Sequence, residues 1–334
     1  MAVGVLALAF IAAAGVGLTQ VDLGAAAAAL AAADPELLAA AIALYALGQT
    51  VSGAMWGVCQ GAGGVRGLPL STTLGMHWIA RAACELMPAS LGEAVRVALV
   101  RRHDGGAAAG AWRITGGIAG YKVVDAAVTG VAVLVIAVAA PLPGPAGSLR
   151  WTALVVVVAV AAAAVAWRMG AARRVLALVP SRARGAASRL GEGAGVLGNA
   201  AAARTAAVLG LLAVLARVLS LAALLAALGA PPQAAALAFA VIVLSGVIPG
   251  APGGAGAREL VLIPALALAY GIPTADALAF SLAVQAAALG TSLLVGAAAL
   301  AWLGPGLLRR APATGATAPA QAVPGPIAGT GSPS

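Results

Sequence analysis

Charged residues are scarce in this sequence. They make up 9% of its 334 residues, whereas an average soluble domain has roughly 25%. A soluble surface cannot be built from so few charges when 62% of the residues are hydrophobic. The apolar residues also occur in runs of about 20, long enough to cross a hydrocarbon core of roughly 30 Å as helices. The sequence therefore predicts an all-α, polytopic integral membrane protein.

Cysteine is nearly absent as well. Cys59 and Cys84 lie in or beside apolar segments without metal-ligand spacing, so neither a disulfide framework nor a zinc site is indicated. His77 and His103 are too isolated to indicate a metal site or a proton relay. We therefore expect no metal and no cofactor. The net charge of +9 comes from arginines between apolar runs, without interleaved aromatics, which indicates membrane topology and no nucleic acid partner.

Six apolar runs are predicted to cross the membrane completely. They are 2–18, 37–58, 114–140, 151–167, 201–229 and 276–303. No Lys or Arg precedes the first run, which favours a retained span over a cleaved signal peptide. The predicted membrane domain covers 1–304, and the Pro, Ala, Gly, Thr and Ser of 305–334 predict a disordered cytoplasmic tail. Five tryptophans are expected to be mostly interfacial belt residues: Trp56, Trp78, Trp112, Trp151 and Trp302.

Two further apolar stretches, 68–100 and 234–270, are each interrupted near the middle. The first break is 85–93 and the second break is 249–256, both containing Pro and Gly. Each stretch is predicted to be a broken helical hairpin that enters the bilayer and turns back. Two short full spans would give the same parity, so that alternative stays open.

Arginine positions set the orientation, because cytoplasmic loops carry the excess of positive charge. Six arginines between 168 and 189 place the long central loop inside. The same count places both termini in the cytoplasm and lets the two broken stretches open from opposite faces. Such an arrangement is typical of an inverted repeat whose broken helices meet near the midplane. We expect a multi-pass protein of the cell (plasma) membrane.

Charges at membrane depth are costly, so each needs a partner or a water-filled cavity. They gather at the two breaks and in two spans: Arg81, Glu85, Glu93 and Arg96 at the first break, Arg258 and Glu259 at the second, and Lys122, Asp125 and Arg217 in spans. Arg81 and Glu85 are four residues apart and Glu93 and Arg96 three apart, so each pair shares a helix face if the flanks are helical. Ion pairs that only hold the hairpins are the alternative, and a lone Arg217 could snorkel.

A broken helix exposes unpaired backbone N–H groups where its second half begins, and these groups attract anions. Gly253, Gly254 and Gly256 let a ligand approach the backbone of the second break closely. An arginine such as Arg258 adds a fork that matches phosphate geometry. The second break is therefore predicted to bind a phosphate-bearing headgroup.

Three motifs resemble one membrane family. Residues 88–96, PASLGEAVR, resemble the P-x-x-x-G-E-x-x-R segment of the lysylphosphatidylglycerol synthase transmembrane, or flippase-like, family. Residues 122–125, KVVD, lie where that family tends to have E-R-x-x-D, and 249–259, PGAPGGAGARE, resemble its P-G-G-x-G-x-x-E signature. Order and approximate spacing agree over about residues 1–304. Lys122 departs from the family pattern.

The resemblance implies a membrane domain that moves lipids or lipid-linked intermediates between leaflets. Some members carry a soluble aminoacyl-transferase domain after it, which is not expected here, so we expect no lysyl transfer and no enzymatic activity. The predicted partners are membrane lipids, with an anionic headgroup or lipid-linked glycan as substrate, and a homo-oligomer is left open.

The predicted function is flipping of an anionic phospholipid or polyprenyl-phosphate-linked lipid. Arg96, Arg258 and Arg217 would bind phosphate, and Glu93 and Glu259 would position those arginines or take part in a proton-coupled step. Two alternatives stay open. One is secondary transport of a small organic anion, and the other is a membrane-embedded transferase with Glu93 or Asp125 as general base.

Overall fold

The computed structural model describes residues 23–65, 67–87, 89–103, 110–139, 181–245 and 257–309. These residues form helices joined by short loops, without a strand among them. In chain order the helices are α1 Leu23–Ala31, α2 Pro35–Ala62, α3 Leu70–Leu86, α4 Ala89–His103, α5 Ala111–Ala139, α6 Ser181–Gly193, α7 Ala200–Ala227, α8 Ala235–Ser245, α9 Ala257–Tyr270 and α10 Thr274–Arg309. The predicted all-α class is confirmed for this part of the chain.

Four of these helices are long and apolar enough to cross a membrane: α2, α5, α7 and the Thr274–Pro305 part of α10. They correspond to four of the six predicted spans. The other two predicted spans, 2–18 and 151–167, lie outside the described residues. Helix α10 continues through Pro305 to Arg309, past the predicted domain boundary at 304. A proline inside a membrane helix is tolerated where neighbouring groups satisfy the backbone, so Pro305 does not end the helix.

Side-chain caps fix where two of the spanning helices begin. Asp34 precedes α2 and accepts hydrogen bonds from the backbone N–H groups of Glu36 and Leu37, at 2.8 and 3.2 Å. Asn199 does the same for the first turn of α7. Each cap satisfies donors that the first helical turn leaves unpaired.

Helices α2 and α7 pack along much of their length, because small residues let their backbones approach. A Cβ atom at Gly48 of α2 would lie 3.2 Å from the backbone oxygen of Ala213 and 3.3 Å from Cγ of Arg217, both on α7. The Ser220 hydroxyl of α7 also donates a 2.7 Å hydrogen bond to the backbone oxygen of Ala41 on α2. Close contact through small residues and interhelical hydrogen bonds is the usual means of helix association in a membrane.

The first interrupted stretch forms a helix pair. Helices α3 and α4 follow each other in the chain and pack against each other. A Cβ atom at Gly92 of α4 would lie only 2.1 Å from Sγ of Cys84 on α3, so the two helices touch where the chain reverses. Sγ of Cys84 lies in this contact between the two helices.

The second interrupted stretch also gives two helices, α8 and α9, which pack against each other and against α10 and α7. The segment between them, 246–256, lies outside the described residues. Leu237 of α8, Leu262 and Leu266 of α9 and Phe280 of α10 are fully buried in one apolar core. This core fixes α9 against α10 and thereby places the first turn of α9.

Candidate functional site

Glu93 of α4 is the centre of a charged cluster between helices. Its Oε2 lies 3.0 Å from Nη1 of Arg96, one turn further along α4. Its Oε1 lies 2.9 Å from Nζ of Lys122 on α5. One carboxylate therefore serves two cations and connects the first helix pair to a spanning helix.

Arg96 is buried and held by several groups. Its guanidinium lies over the ring of Trp56 at 5.0 Å and over that of Tyr121 at 5.7 Å. Its Nη2 is 3.4 Å from Nδ1 of His77 on α3. Cation–π contacts of this kind strengthen when the cation is removed from water. Arg96 is thus fixed among α2, α3, α4 and α5.

Arg217 of α7 extends the cluster. Its Nη2 donates a 2.6 Å hydrogen bond to Oγ of Ser52 on α2 and lies 3.8 Å from Oδ1 of Asp125 on α5. Asp125 lies almost one turn beyond Lys122 on the same helix, so the two pairs are neighbours. We call this group the Glu93 cluster; its members are Glu93, Arg96, Lys122, Asp125, Arg217, Ser52, Trp56, His77 and Tyr121.

A second cluster surrounds Glu259 in the first turn of α9. Glu259 Oε1 accepts a 2.7 Å hydrogen bond from Oγ of Ser281 and a 2.6 Å hydrogen bond from Nε2 of Gln285, both on α10. It also lies 3.5 Å from Nε of Arg258. We call Arg258, Glu259, Ser281 and Gln285 the Glu259 cluster.

Arg258 is buried, and part of its guanidinium lacks a hydrogen-bond acceptor in the described part of the chain. Only 7% of the residue is exposed, and its Nη2 has no hydrogen-bond partner among the described residues. A buried guanidinium nitrogen without an acceptor is costly, because the desolvation of a charged donor is not offset. The position therefore suits an additional anionic acceptor.

The predicted helical pairs are formed. Arg81 pairs with Glu85 on α3, and Glu93 pairs with Arg96 on α4. Lys122 and Asp125, three residues apart, instead pair across helices with Glu93 and Arg217. Arg217 has partners on two helices and does not stand alone. Close approach of a ligand was predicted at three glycines, and these lie outside the described residues: Gly253, Gly254 and Gly256.

Sequence reasoning missed several polar members of the two clusters. His77 contacts Arg96, although its sequence neighbourhood is not informative. Trp56 was expected at an interface but is fully buried under Arg96, whereas Trp112 and Trp302 are 52% and 61% exposed, as belt residues would be. Trp78 is also buried, at 4% exposed, so Trp56 and Trp78 are exceptions to the belt prediction.

A stripe of polar residues in the sequence could have identified the side chains of α2 that belong to the Glu93 cluster. Gln49, Ser52, Trp56 and Gln60 recur at three- and four-residue spacing in an otherwise apolar span, so they share one helix face. Ser281 and Gln285 repeat that spacing on α10. Such polar stripes in a span point to the interior of the bundle.

A metal site is not formed by the described residues, which bring no three His, Cys, Asp or Glu side chains together to hold an ion. The chemistry that both clusters offer is charge pairing and hydrogen bonding to an anion.

Comparison with known proteins identifies the chain at the level of a family. No curated protein matches it significantly. The family model described as the lysylphosphatidylglycerol synthase TM region matches residues 1–296, which is most of the chain. Because this match covers far more than half of the chain, the chain belongs to the lysylphosphatidylglycerol synthase TM region family.

Proposed function

We propose that this membrane protein translocates a phosphate-bearing anionic lipid, either a phospholipid or a polyprenyl-phosphate-linked lipid, between the two leaflets. The observation that carries the proposal is Arg258, a buried guanidinium with a donor nitrogen left without a partner in the described part of the chain. Membership of a family named for a lipid-modifying enzyme makes a lipid the favoured source of the missing anion. The role is transport, with no catalytic residue assigned.

The first turn of α9 supports anion binding in two ways. The first backbone N–H groups of any helix have no partner within that helix and carry a partial positive charge. Arg258 stands in that turn and adds a planar fork of donors that matches a phosphate group. The two features together would hold a phosphate more specifically than either alone.

Glu259 keeps this cation in place before the lipid arrives. Two hydrogen bonds from α10, donated by Ser281 and Gln285, fix its carboxylate. The fixed carboxylate in turn compensates Arg258, which would otherwise be an unpaired buried charge. Binding a phosphate then completes the hydrogen bonds of Arg258 without displacing Glu259.

The Glu93 cluster would provide a second position for the headgroup. It gathers three cations, Arg96, Lys122 and Arg217, with only two carboxylates, Glu93 and Asp125. The excess of positive charge suits an anion. In this proposal the two helix pairs re-enter the bilayer from opposite faces as an inverted repeat, and the acyl chains stay in the bilayer while the headgroup passes between the clusters.

The proposed orientation places both termini and α6 on the cytoplasmic side of the plasma membrane. Helix α6 carries Arg182, Arg184 and Arg189, and an arginine-rich connection between spans is typical of the cytoplasmic face.

A leaflet assay tests the proposal. The full chain would be reconstituted into vesicles that carry fluorescent phosphatidylglycerol, and added dithionite would bleach only outer-leaflet probe. Wild-type protein should let nearly all of the probe be bleached, and Arg258→Gln should slow this at least about tenfold, since a charge-assisted hydrogen bond is worth a factor of that size. Arg204→Gln, which removes an exposed arginine from the first turns of α7, is the matched control.

Two results would contradict the proposal. One is bleaching that stops at the outer leaflet in wild-type vesicles. The other is a wild-type rate in the folded Arg258→Gln variant. Uptake of glycerol phosphate into the same vesicles without lipid movement would instead favour a secondary transporter of small anions.

A further inference from the structure

Lys122 differs from the other cations of the Glu93 cluster in its exposure. Its side chain is 56% exposed, whereas Arg96 is buried. Its Nζ lies 5.6 Å from the ring centroid of Tyr121, the adjacent residue, and 2.9 Å from the carboxylate of Glu93. Lys122 is therefore anchored inside the cluster and open on its outer side.

The depth of Lys122 makes this exposure informative. Helix α5 begins at Ala111, and Lys122 lies about 16 Å further along its axis at 1.5 Å per residue. Trp112, half exposed at the start of the helix, marks the expected level of the interface. The exposed side of an ammonium so far from the interface is costly in a hydrocarbon environment, unless water or a further anion reaches it.

The surroundings of Lys122 on the helix surface are apolar. Ala119 and Ala126, three residues before and four residues after it, share its face and are exposed. Lys122 therefore interrupts a surface that otherwise suits acyl chains. A ligand that matches both features has an anionic group and an apolar chain.

Glu93 does not exhaust the bonding capacity of Lys122. The carboxylate of Glu93 is shared with Arg96, so neither cation has a counter-charge of its own. An ammonium has three N–H donors, and the contact with Glu93 requires only one of them. Arg96 also has a donor to spare, because its Nε has no hydrogen-bond partner among the described residues, but it is buried among Glu93, His77 and two aromatic rings and is closed to a ligand from the outer side.

We propose that the ammonium of Lys122 binds the phosphate of a lipid headgroup that reaches it laterally, along the exposed face of α5, and that Arg96 serves to position Glu93. This inference rests on the proposed function and specifies how the same headgroup gains access from the bilayer. Glu93 keeps Lys122 oriented before the lipid arrives and remains paired with Arg96 when the phosphate binds. The arrangement selects an anion that is attached to acyl chains over a free anion.

Photocrosslinking tests this access route. p-Benzoylphenylalanine would replace Ala126, one turn from Lys122, in the full chain held in nanodiscs of phosphatidylglycerol and diacylglycerol. We expect crosslinks to phosphatidylglycerol in excess over diacylglycerol. Lys122→Gln should lower that ratio about tenfold, and Lys122→Arg should largely retain it, because the lost contact is a charge-assisted hydrogen bond.

The same probe at Val135, which is also exposed but lies on the other side of α5, is the control and should crosslink both lipids without regard to residue 122. An unchanged ratio in a folded Lys122→Gln variant would overturn the inference. Competition by free glycerol phosphate that removes the lipid crosslink would overturn it too, because a soluble anion would then be preferred.

The crosslink requires binding but no transport. A wild-type chain that crosslinks phosphatidylglycerol through Lys122 yet fails the leaflet assay would refute translocation and leave this site standing. If the chain moves lipid in the leaflet assay but its crosslink does not depend on residue 122, only the proposed site at Lys122 is refuted.

Discussion

Arg217 and Ser52 are joined across the packed helices α7 and α2 by a hydrogen bond of 2.6 Å between Nη2 and Oγ. The carboxylate of Asp125 is further away, at 3.8 Å. A Cβ atom at Gly48, one turn before Ser52, would lie 3.3 Å from Cγ of Arg217, so the arginine stem fills the space between the helices. The Ser52 hydroxyl is thus the nearest acceptor that holds the guanidinium at this depth.

Replacing Ser52 should therefore weaken the α2–α7 packing. We expect Ser52→Ala to lower the free energy of unfolding by about 1 to 2 kcal/mol, since a charged donor loses its best acceptor. Unfolding in mixed detergent and dodecyl sulfate would measure the loss. Thr50→Ala is the control, because the Thr50 hydroxyl donates its hydrogen bond within its own helix, to the backbone oxygen of Ala46. Equal effects of the two changes would contradict the assigned role of Ser52.

Removing the charge of Glu93 should destabilise the protein more than removing the charge of its partner Lys122. Glu93→Gln leaves buried Arg96 and exposed Lys122 without their shared counter-charge, whereas Lys122→Gln leaves the Glu93–Arg96 pair intact. We expect Glu93→Gln to cost about 2 kcal/mol or more, and Lys122→Gln to cost less than about 1 kcal/mol because Lys122 is more than half exposed. Unfolding experiments on the purified variants would measure both values.

The double variant provides the control for this comparison. Once Glu93 is a glutamine, removing the charge of Lys122 relieves repulsion between two cations, so the effects should not add. A double variant that is less stable than the sum of the single changes would contradict a favourable Glu93–Lys122 pair.

The helix positions were predictable because long apolar runs have few alternatives in a membrane. The four described spans fall where hydropathy places them, and both interrupted stretches give helix pairs. The partners Arg81 and Glu85, one turn apart, were also predictable from helical spacing. These features depend only on local sequence.

Contacts between distant segments were not predictable from the same information. Lys122 and Asp125 share a helix, and nothing in their spacing indicates that one pairs with Glu93 and the other with Arg217. His77 meets Arg96 only because α3 and α4 fold back on each other. Tertiary packing sets how each helix is rotated about its axis, and this rotation determines which cation is buried and which is exposed.

A close backbone contact holds α6 against α5, and it tolerates no side chain. A Cβ atom at Gly193 would lie 2.0 Å from the backbone oxygen of Arg113. We expect Gly193→Ala to weaken the docking of α6 by about 2 kcal/mol, the usual cost of overpacking, and to speed tryptic cleavage after Arg189 by about thirtyfold. Time courses of limited proteolysis would measure the change.

Gly191 is the matched control for this experiment. A Cβ atom at Gly191, in the same helix, would meet nothing within 4 Å. Gly191→Ala should leave the cleavage rate unchanged or lower it slightly, because alanine favours the helix over glycine. Similar acceleration by both substitutions would contradict a specific role for the contact between Gly193 and Arg113.

The docking of α6 against α5 should also depend on pH, because it involves the carboxylate of Glu192. A hydrogen bond donated by Arg113 lowers the pKa of Glu192 below its ordinary value. A depressed pKa in the folded state means that this contact stabilises docking above the ordinary glutamate pKa of about 4.3 and is lost as the pH falls through the lowered pKa. The protection factors of the α6 amides, which correct the exchange rates for their intrinsic pH dependence, should thus be constant near neutral pH and fall below about pH 4, whereas Glu192→Gln should flatten that fall. Glu36→Gln, in the first turn of α2, should leave the fall in place. A wild-type fall in Glu192→Gln would assign the acid response to another carboxylate.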